Sequence, residues 1–568
     1  MGIIAKQSIQ GTIVTYLGVA VGFVTTFFVL TRFLSAEEIG LARVLVDAAT
    51  LFIGLAQLGT SSSIIRFYPH FKHSVASCRM VQNSLELSSA EKTTLNNSTQ
   101  LPHHATQLPH HSTQLPHNAT QLPHNSTQLP HNSTQPLHNS THSSDHGFFF
   151  WTLIIPLVGF VLFTAIYCAC HEPLSHWFGE KSPLFVEYYY MVLPIAFFML
   201  YQTIFETNAN VRMHIVVPRA VRELITRIGL LVVYLLYAFE FLTINGFVIG
   251  LCAVYAVAML CNMGYLFSLG EISLRPDWEF LHENRSLVRQ YILYTGFLLV
   301  SAVASVLAPT LSSFFITAEM GLNYTGIFAI ATYIAVMVSI PYRSVVAIAS
   351  PQLATAIKEN NQRETAQLMQ QVSSTLLLIG GMILCAIWLN IDLIFHILPN
   401  GETYAAARQV VLMLGTSQLI IAVCSFASSA LNYSRFYAFS LLFSFILTTL
   451  SLVLNNLLIP HFGMNGAALS NLIAYAVYFL FITLTVRFTL HAPTFTRQHF
   501  KIILLLLLIL SMNTLWLNYL PINNIWISSI LRSLVLLGGG CAVAWAKKLS
   551  PEINQQVRSL GERLKVKG

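Results

Sequence analysis

Charged residues are scarce in this chain. Asp, Glu, Lys and Arg make up 9% of its 568 residues, and 55% of the residues are hydrophobic. Soluble domains carry roughly 25% charged residues, so a soluble core this apolar would leave too little polar surface to cover it. The mean hydropathy of +0.63 therefore indicates a polytopic membrane protein. Its Lys and Arg stand between apolar runs, so the net charge of +7 predicts no nucleic-acid partner.

The chain also lacks the residue patterns that enzymes and metal proteins need. Its eight cysteines show no metal or redox spacing. The only long polar segment is nearly devoid of Asp and Glu, so it offers no catalytic carboxylates. We predict no catalytic residue, no cofactor and no metal site.

Apolar runs of about 20 residues, the length that crosses a bilayer as a helix, recur along the whole chain. We predict fourteen, near 11–33, 42–65, 148–170, 185–207, 219–240, 243–267, 291–315, 326–350, 372–396, 405–431, 436–458, 464–487, 501–520 and 525–546. The fold class expected is an all-α polytopic membrane protein.

The distribution of Lys and Arg predicts the orientation. With the N-terminus inside, 23 of the 30 Lys and Arg fall in inner segments, as the positive-inside rule requires. Outer segments hold only Arg32, Arg43, Lys181 and Arg408, and the other three lie inside spans. Both termini are expected in the cytoplasm.

A heptapeptide array fills the polar segment between the second and third spans. Copies begin at Thr99, Thr106 and Thr113, and the array ends near Thr141; each copy carries a Pro and no apolar face. Such a segment cannot bury a core, so we expect disorder over about 73–146. The array is interpreted as an expanded repeat in a cytoplasmic loop.

Two halves of the chain resemble each other. Phe33–Glu37 matches Phe315–Glu319 at an offset of 282, and Pro69 matches Pro351 at the same offset. Residues 244–257 match 464–477 at an offset of 220. The difference, 62 residues, is assigned to the repeat-rich loop. Six spans per copy makes the copies parallel, an arrangement typical of alternating-access transporters with the site between the halves.

These matches divide the chain into five segments. They are an N-lobe (1–270), an interfacial linker (271–290), a C-lobe (291–490), two further spans (491–548) and a basic cytoplasmic tail (549–568). The linker carries apolar and charged residues in the mixture typical of an amphipathic helix at the inner face of the membrane. Membrane lipids are the partners expected for the linker and the tail.

Two motifs resemble a known transporter family. The pattern Leu458-Ile459-Pro460-x-Phe462-Gly463-x-x-Gly466-Ala467-Ala468 is similar to a signature of Wzx-like polysaccharide flippases, and so is the segment Thr31–Gly40. These flippases belong to the multidrug/oligosaccharidyl-lipid/polysaccharide exporter superfamily. The resemblance covers the twelve-span core, and the last two spans are similar to those of fourteen-span members.

The resemblance implies both a fold and a function. The fold would be two pseudo-repeated six-helix lobes arranged as in MATE transporters, plus two C-terminal helices. The function would be to move a lipid-linked oligosaccharide, carried on polyprenyl diphosphate, across the bacterial cytoplasmic membrane by alternating access. A polysaccharide polymerase and export machinery would then be partners.

Arginines inside predicted spans are the candidates for binding the diphosphate. Arg219, Glu223 and Arg227 follow at i, i+4 and i+8 on span five and form one stripe. Arg227 lies deepest, with Arg343 of span eight second, followed by Arg222 and Arg219. A buried Arg suits a diphosphate because it makes bidentate, charge-assisted hydrogen bonds. The alternatives left open are inner-face anchoring, a structural Glu223–Arg227 pair, and snorkelling of Arg343.

Three acidic residues inside spans are candidates for coupling transport to an ion gradient. They are Asp47, Glu206 and Glu223. Each could equally pair with a nearby Arg, and the sequence does not choose.

Three other functions compete with the flippase. A cation-coupled multidrug exporter of the same fold would need an apolar, acidic cavity. A membrane glycosyltransferase or polymerase would need a large loop with catalytic carboxylates. A membrane scaffold is disfavoured by the Arg stripe and the repeat.

Overall fold

The structure is a computed structural model that describes residues 3–68, 147–519 except several positions between 271 and 284, and 524–547. Every regular element within these residues is a helix. The predicted repeat loop (73–146), the tail (549–568) and much of the predicted linker lie outside the described residues. Eleven described helices are long and apolar enough to cross a membrane. The chain is therefore a multi-pass, all-α membrane protein, as predicted.

Six spans form the first half. They are α1 (Ile3–Val24, continued by a π-helical turn Thr25–Leu30 and by Thr31–Phe33), α2 (Ala36–Ala56), α3 (Phe148–Ala169), α4 (Val192–Val211), α5 (Val216–Ala220, a π-helical turn Val221–Ile225 and Thr226–Ala238) and α6 (Ile244–Ser268). A separate helical stretch covers 60–68. Short helices His171–Gly179 and Pro183–Glu187 connect α3 to α4.

The second half repeats this order and adds two spans. They are α7 (Arg285–Met320), α8 (Leu322–Val336 followed by Ile340–Lys358), α9 (Gln362–Leu389), α10 (Arg408–Tyr433), the helix Tyr437–Thr489, α13 (Arg497–Tyr519) and α14 (Ile525–Arg532, a π-helical turn Ser533–Leu537 and Gly538–Ala546). Short helices Ile391–Ile397 and Gly401–Ala405 connect α9 to α10.

Tyr437–Thr489 contains two spans that turn back on each other at Gly463. Gly463 has φ of 57° and ψ of −134°, a backbone conformation that suits glycine. We call the parts before and after it α11 and α12. They are antiparallel: the rings of Phe443 and Phe481 stack at 5.5 Å. A Cβ on Gly466 would stand 2.2 Å from the Leu458 carbonyl oxygen, so the small residues of this segment allow a tight helical hairpin. The expected fourteen spans are consistent with these helices.

Local sequence signals explain where α2 begins. Ser35 caps the helix, because its hydroxyl accepts from the Glu38 amide at 3.2 Å and its own amide donates to the Glu38 carboxylate at 2.7 Å. This reciprocal pair is a capping box. It places Ala36 at the first turn of α2, so Arg43 lies inside this span. The prediction that Arg43 belongs to an outer segment is therefore wrong.

The two halves meet where α2 crosses α8, and the contact is made by backbone. A Cβ on Gly40 would stand 2.0 Å from the carbonyl oxygen of Leu322, and a Cβ on Gly326 would stand 1.8 Å from that of Ala36. Ala36 and Leu322 are 286 residues apart, as are Gly40 and Gly326. The crossing is thus a pseudo-two-fold contact. The offset between equivalent residues at this crossing is 286. The offset of the sequence match is 282, because that match pairs the start of α2 with the end of α7.

Side chains also join the two halves at the end of the bundle where this crossing lies. Asn400 Nδ2 donates to the Thr31 carbonyl oxygen at 2.9 Å, and Ser182 Oγ donates to that of Thr317 at 2.7 Å. Both bonds join one half to the other. By the predicted orientation this end faces away from the cytoplasm.

The two extra spans pack on the second half through α9. His499 of α13 is fully buried, and its Nε2 lies 2.9 Å from Ser373 Oγ. Ser533 of α14 accepts from Asn390 Nδ2 at 2.8 Å. α13 and α14 are therefore fixed to one side of the second half.

Candidate functional site

A cavity of about 830 Å³ lies between the two halves. α1, α4, α5 and α6 line it from the first half, and α8 lines it from the second. Most of its wall is apolar or aromatic, and four charged side chains reach it: Glu206, Arg222, Arg227 and Arg343. This is the position that a repeat of two six-helix units predicts for a transport site.

Three of these charged groups belong to one ion-pair network on α4 and α5. Arg222 Nη1 lies 2.7 Å from Glu206 Oε1, and its Nε lies 3.4 Å from Glu223 Oε1. Arg227 Nη2 lies 3.2 Å from Glu223 Oε2. The two carboxylates are buried, whereas the Arg222 and Arg227 side chains remain 49% and 34% exposed. The carboxylates thus hold the guanidinium groups in place while leaving part of each open to the cavity.

The backbone of α5 explains why two adjacent charged residues share this network. Val221–Ile225 form a π-helical turn, and Thr226 Oγ1 donates to the Val221 carbonyl oxygen at 3.1 Å. A π turn widens the helix locally and is frequent at functional sites. α1 has its own π turn, Thr25–Leu30, which contributes residues to the wall of the same cavity.

Glycines of α1 make room for the charged stripe of α5. A Cβ on Gly22 would stand 2.1 Å from Arg227 Nη1, and one on Gly18 would stand 2.4 Å from the carbonyl oxygen of Glu223. Sequence reasoning missed these positions. The signal was present, because Gly18 and Gly22 are four residues apart, the spacing of small residues that lets membrane helices approach closely.

Arg343 approaches the cavity from the opposite half. It is exposed and lines the cavity from α8. Among the described residues it has no hydrogen-bond or ion-pair partner. A cation inside a membrane span is costly unless it is paired or faces water, so its position on the cavity wall is the reason it is tolerated.

Two predicted site residues lie elsewhere. Arg219 does not line the cavity and packs against α1, where a Cβ on Gly11 would stand 3.0 Å from its Nη1. Asp47 pairs with Arg43, whose Nε lies 2.8 Å from Asp47 Oδ2. The Arg43 guanidinium carbon also lies 5.8 Å from the centroid of the Tyr333 ring.

The net charge of the site follows from this arrangement. Three guanidinium groups, from Arg222, Arg227 and Arg343, reach the cavity wall, and Glu206 is the only acidic residue of the described chain that does. Even with Glu223 behind Arg222 and Arg227, cations outnumber carboxylates. The described residues hold no group of three or more His, Cys, Asp or Glu placed to bind a metal ion.

Comparison with known proteins gives matches among solved structures alone. No protein-family model matches the chain, and no curated protein does. The lipid II flippase MurJ, in an inward closed conformation, matches with a TM-score of 0.60 and 13% identity over 95% of this chain and 100% of that one. An inward-facing multidrug resistance MATE transporter of the MOP superfamily matches with a TM-score of 0.54 and 13% identity over 83% and 94%.

A third match is a MOP superfamily transporter from Pyrococcus furiosus described as having a binding pocket of reverse polarity. Its TM-score is 0.53, with 12% identity over 87% of this chain and 98% of that one. At these identities the matches establish the fold. The predicted MATE-like architecture is confirmed over most of the chain.

Proposed function

We propose that this protein is a transporter that moves a lipid-linked oligosaccharide, carried on a polyprenyl diphosphate, from one face of the cytoplasmic membrane to the other by alternating access. The observation that carries the proposal is the cationic cavity between the two halves. A diphosphate carries several negative oxygens, and Arg222, Arg227 and Arg343 offer planar donors on both sides of the cavity. The fold shared with a lipid II flippase supports the same class of cargo.

In this proposal the two halves divide the binding of the diphosphate. Arg222 and Arg227 are held by Glu206 and Glu223 on the first half, and Arg343 belongs to the second. A bound diphosphate therefore bridges the two halves. It is released when the halves separate at the end of the bundle opposite to the one from which it entered. Glu206, on the cavity wall and buried, is the acidic residue best placed to exchange a proton or cation during this cycle.

A cation-coupled multidrug exporter is the second candidate, because MATE transporters share the fold. Such a protein binds cationic, apolar compounds, for which an acidic cavity is favourable. The excess of Arg over Glu at this cavity favours an anionic cargo instead.

The test is reconstitution of the full chain in liposomes with two cargoes. One is a fluorescent polyprenyl-diphosphate oligosaccharide and the other is a cationic dye. We expect the lipid-linked sugar to cross and the dye not to, with transport lost in Arg227→Ala. Export of the dye without movement of the lipid would establish the exporter instead.

A further inference from the structure

A second groove lies at the start of α7, away from the cavity between the halves. It encloses about 400 Å³, and its lining includes Trp278, His282, Arg285, Arg289, Ile292 and Leu293. By the predicted orientation this end of α7 lies at the cytoplasmic surface of the membrane. The groove therefore opens where a helix passes from lipid headgroups into the apolar interior.

The upper part of the groove is cationic, and none of the described residues that line it is acidic. Arg285 and Arg289 are one turn apart and both exposed. Arg289 has no hydrogen bond or ion pair within the described part of the chain, and Arg285 has one contact, from Nη2 to His282 Nδ1 at 3.2 Å. Two guanidinium groups on one helix face, without an ion pair to any described residue, attract a phosphate group.

The lower part of the groove is apolar and open. Ile292 and Leu293 continue the face of Arg285 and Arg289, and they are 63% and 64% exposed. One turn further, Gly296 is exposed, and a Cβ placed on it would meet no atom within 4 Å. A cationic turn followed by an open apolar strip matches the order of headgroup and acyl chain in a phospholipid.

Trp278 forms one wall and connects the groove to the first half. Its ring is 59% exposed and stands edge-on to that of Trp151, at the start of α3, with centroids 5.4 Å apart. The groove thus lies where the chain passes from the first half to the second. A ligand in it would contact α7 and the segment that joins the halves.

We propose that this groove binds an anionic phospholipid of the cytoplasmic leaflet. The phosphate lies between Arg285 and Arg289, and an acyl chain follows Ile292 and Leu293 past Gly296. Charge complementarity selects a lipid with a net negative headgroup, because a zwitterionic headgroup would bring its own cation beside the two Arg residues. This site is independent of the cargo, so it stands whether or not the proposed transport activity is correct.

The experiment is native mass spectrometry of the full chain titrated with phosphatidylglycerol or phosphatidylcholine. Phosphatidylglycerol is expected to bind the wild type more tightly. The double variant Arg285→Gln/Arg289→Gln should bind it roughly 30-fold more weakly, which corresponds to about 1 kcal/mol for each Arg lost at a membrane surface. The matched control is Lys358→Gln/Arg363→Gln, which removes two exposed cations outside the groove and should bind like the wild type.

A second variant tests the groove separately from its charge. Gly296→Leu keeps both Arg residues and fills the open strip, so it should also weaken phosphatidylglycerol binding. Equal binding of phosphatidylglycerol by the wild type and the double Arg variant would overturn the proposal. So would equal affinity for phosphatidylcholine, or displacement of the phospholipid by a polyprenyl-diphosphate lipid.

Discussion

Replacing Arg343 with Ala should abolish most transport without destabilising the protein. Its guanidinium group has no partner among the described residues, so folding loses little, within about 0.5 kcal/mol, as for other exposed positions. The cargo would lose one or more charge-assisted hydrogen bonds, each worth about 1.5–3 kcal/mol. The affinity for the diphosphate should therefore fall roughly 10- to 150-fold.

Two measurements on the same protein preparation separate these effects. Thermal unfolding of Arg343→Ala should coincide with that of the wild type, while flipping of a fluorescent polyprenyl-diphosphate oligosaccharide in liposomes should drop to near background. Arg343→Lys keeps the charge but not the planar donors, so intermediate transport is expected. Wild-type transport by Arg343→Ala would refute the role given to this residue.

Three further predictions concern the first half and the loop. Arg227→Ala should stop transport and lower the free energy of unfolding by about 1–3 kcal/mol, because buried Glu223 keeps only one Arg partner; wild-type transport in the same liposome assay would remove Arg227 from the site. Gly326→Val should force α2 and α8 apart. In a chain without the native cysteines, a membrane-impermeant thiol reagent applied outside cells should then label a cysteine at Thr203→Cys faster than it does in the control Gly264→Ala. Unchanged labelling would contradict this prediction. Deleting Thr99–Thr141 should leave surface polysaccharide at its normal level, and loss of the polysaccharide would show that the repeat is required.

The spans could be predicted from sequence because about 20 apolar residues in a row have few other structures available. The Gly463–Ala468 segment was similarly informative. It carried the family resemblance, and its Gly463 forms the turn of the α11–α12 hairpin. The boundary of α2 was missed because Ala36, Gly40 and Ala42 have modest hydrophobicity. The capping box at Ser35 and Glu38 was the signal that would have placed it.

The site was predictable only in part. The stripe on span five includes Arg227, which lines the cavity, but the prediction of a stripe assumed a regular helix. The π turn at Val221–Ile225 cannot be seen in a 3.6-residue periodicity, so the contact of Arg222 with Glu206 was not foreseen. The position of the Arg219 side chain, close to Gly11 of α1, could not be foreseen for a related reason. Such pairings depend on which helices are adjacent, and one sequence does not state that.

The crossing of α2 and α8 has a consequence for how such a chain arises. Each half presents the same patch to the other. On each helix a glycine packs against a carbonyl oxygen of the other half, and the residue four positions earlier places its own carbonyl oxygen against the glycine of the other half. This is the contact of a two-fold homodimer, and joining two identical genes end to end would leave it intact. In a homodimer one substitution alters both sides of the contact at once. In a single chain Gly40 and Gly326 are separate codons, so one side can change while the other is kept. Such a chain leaves its two halves free to carry different charges around the cavity.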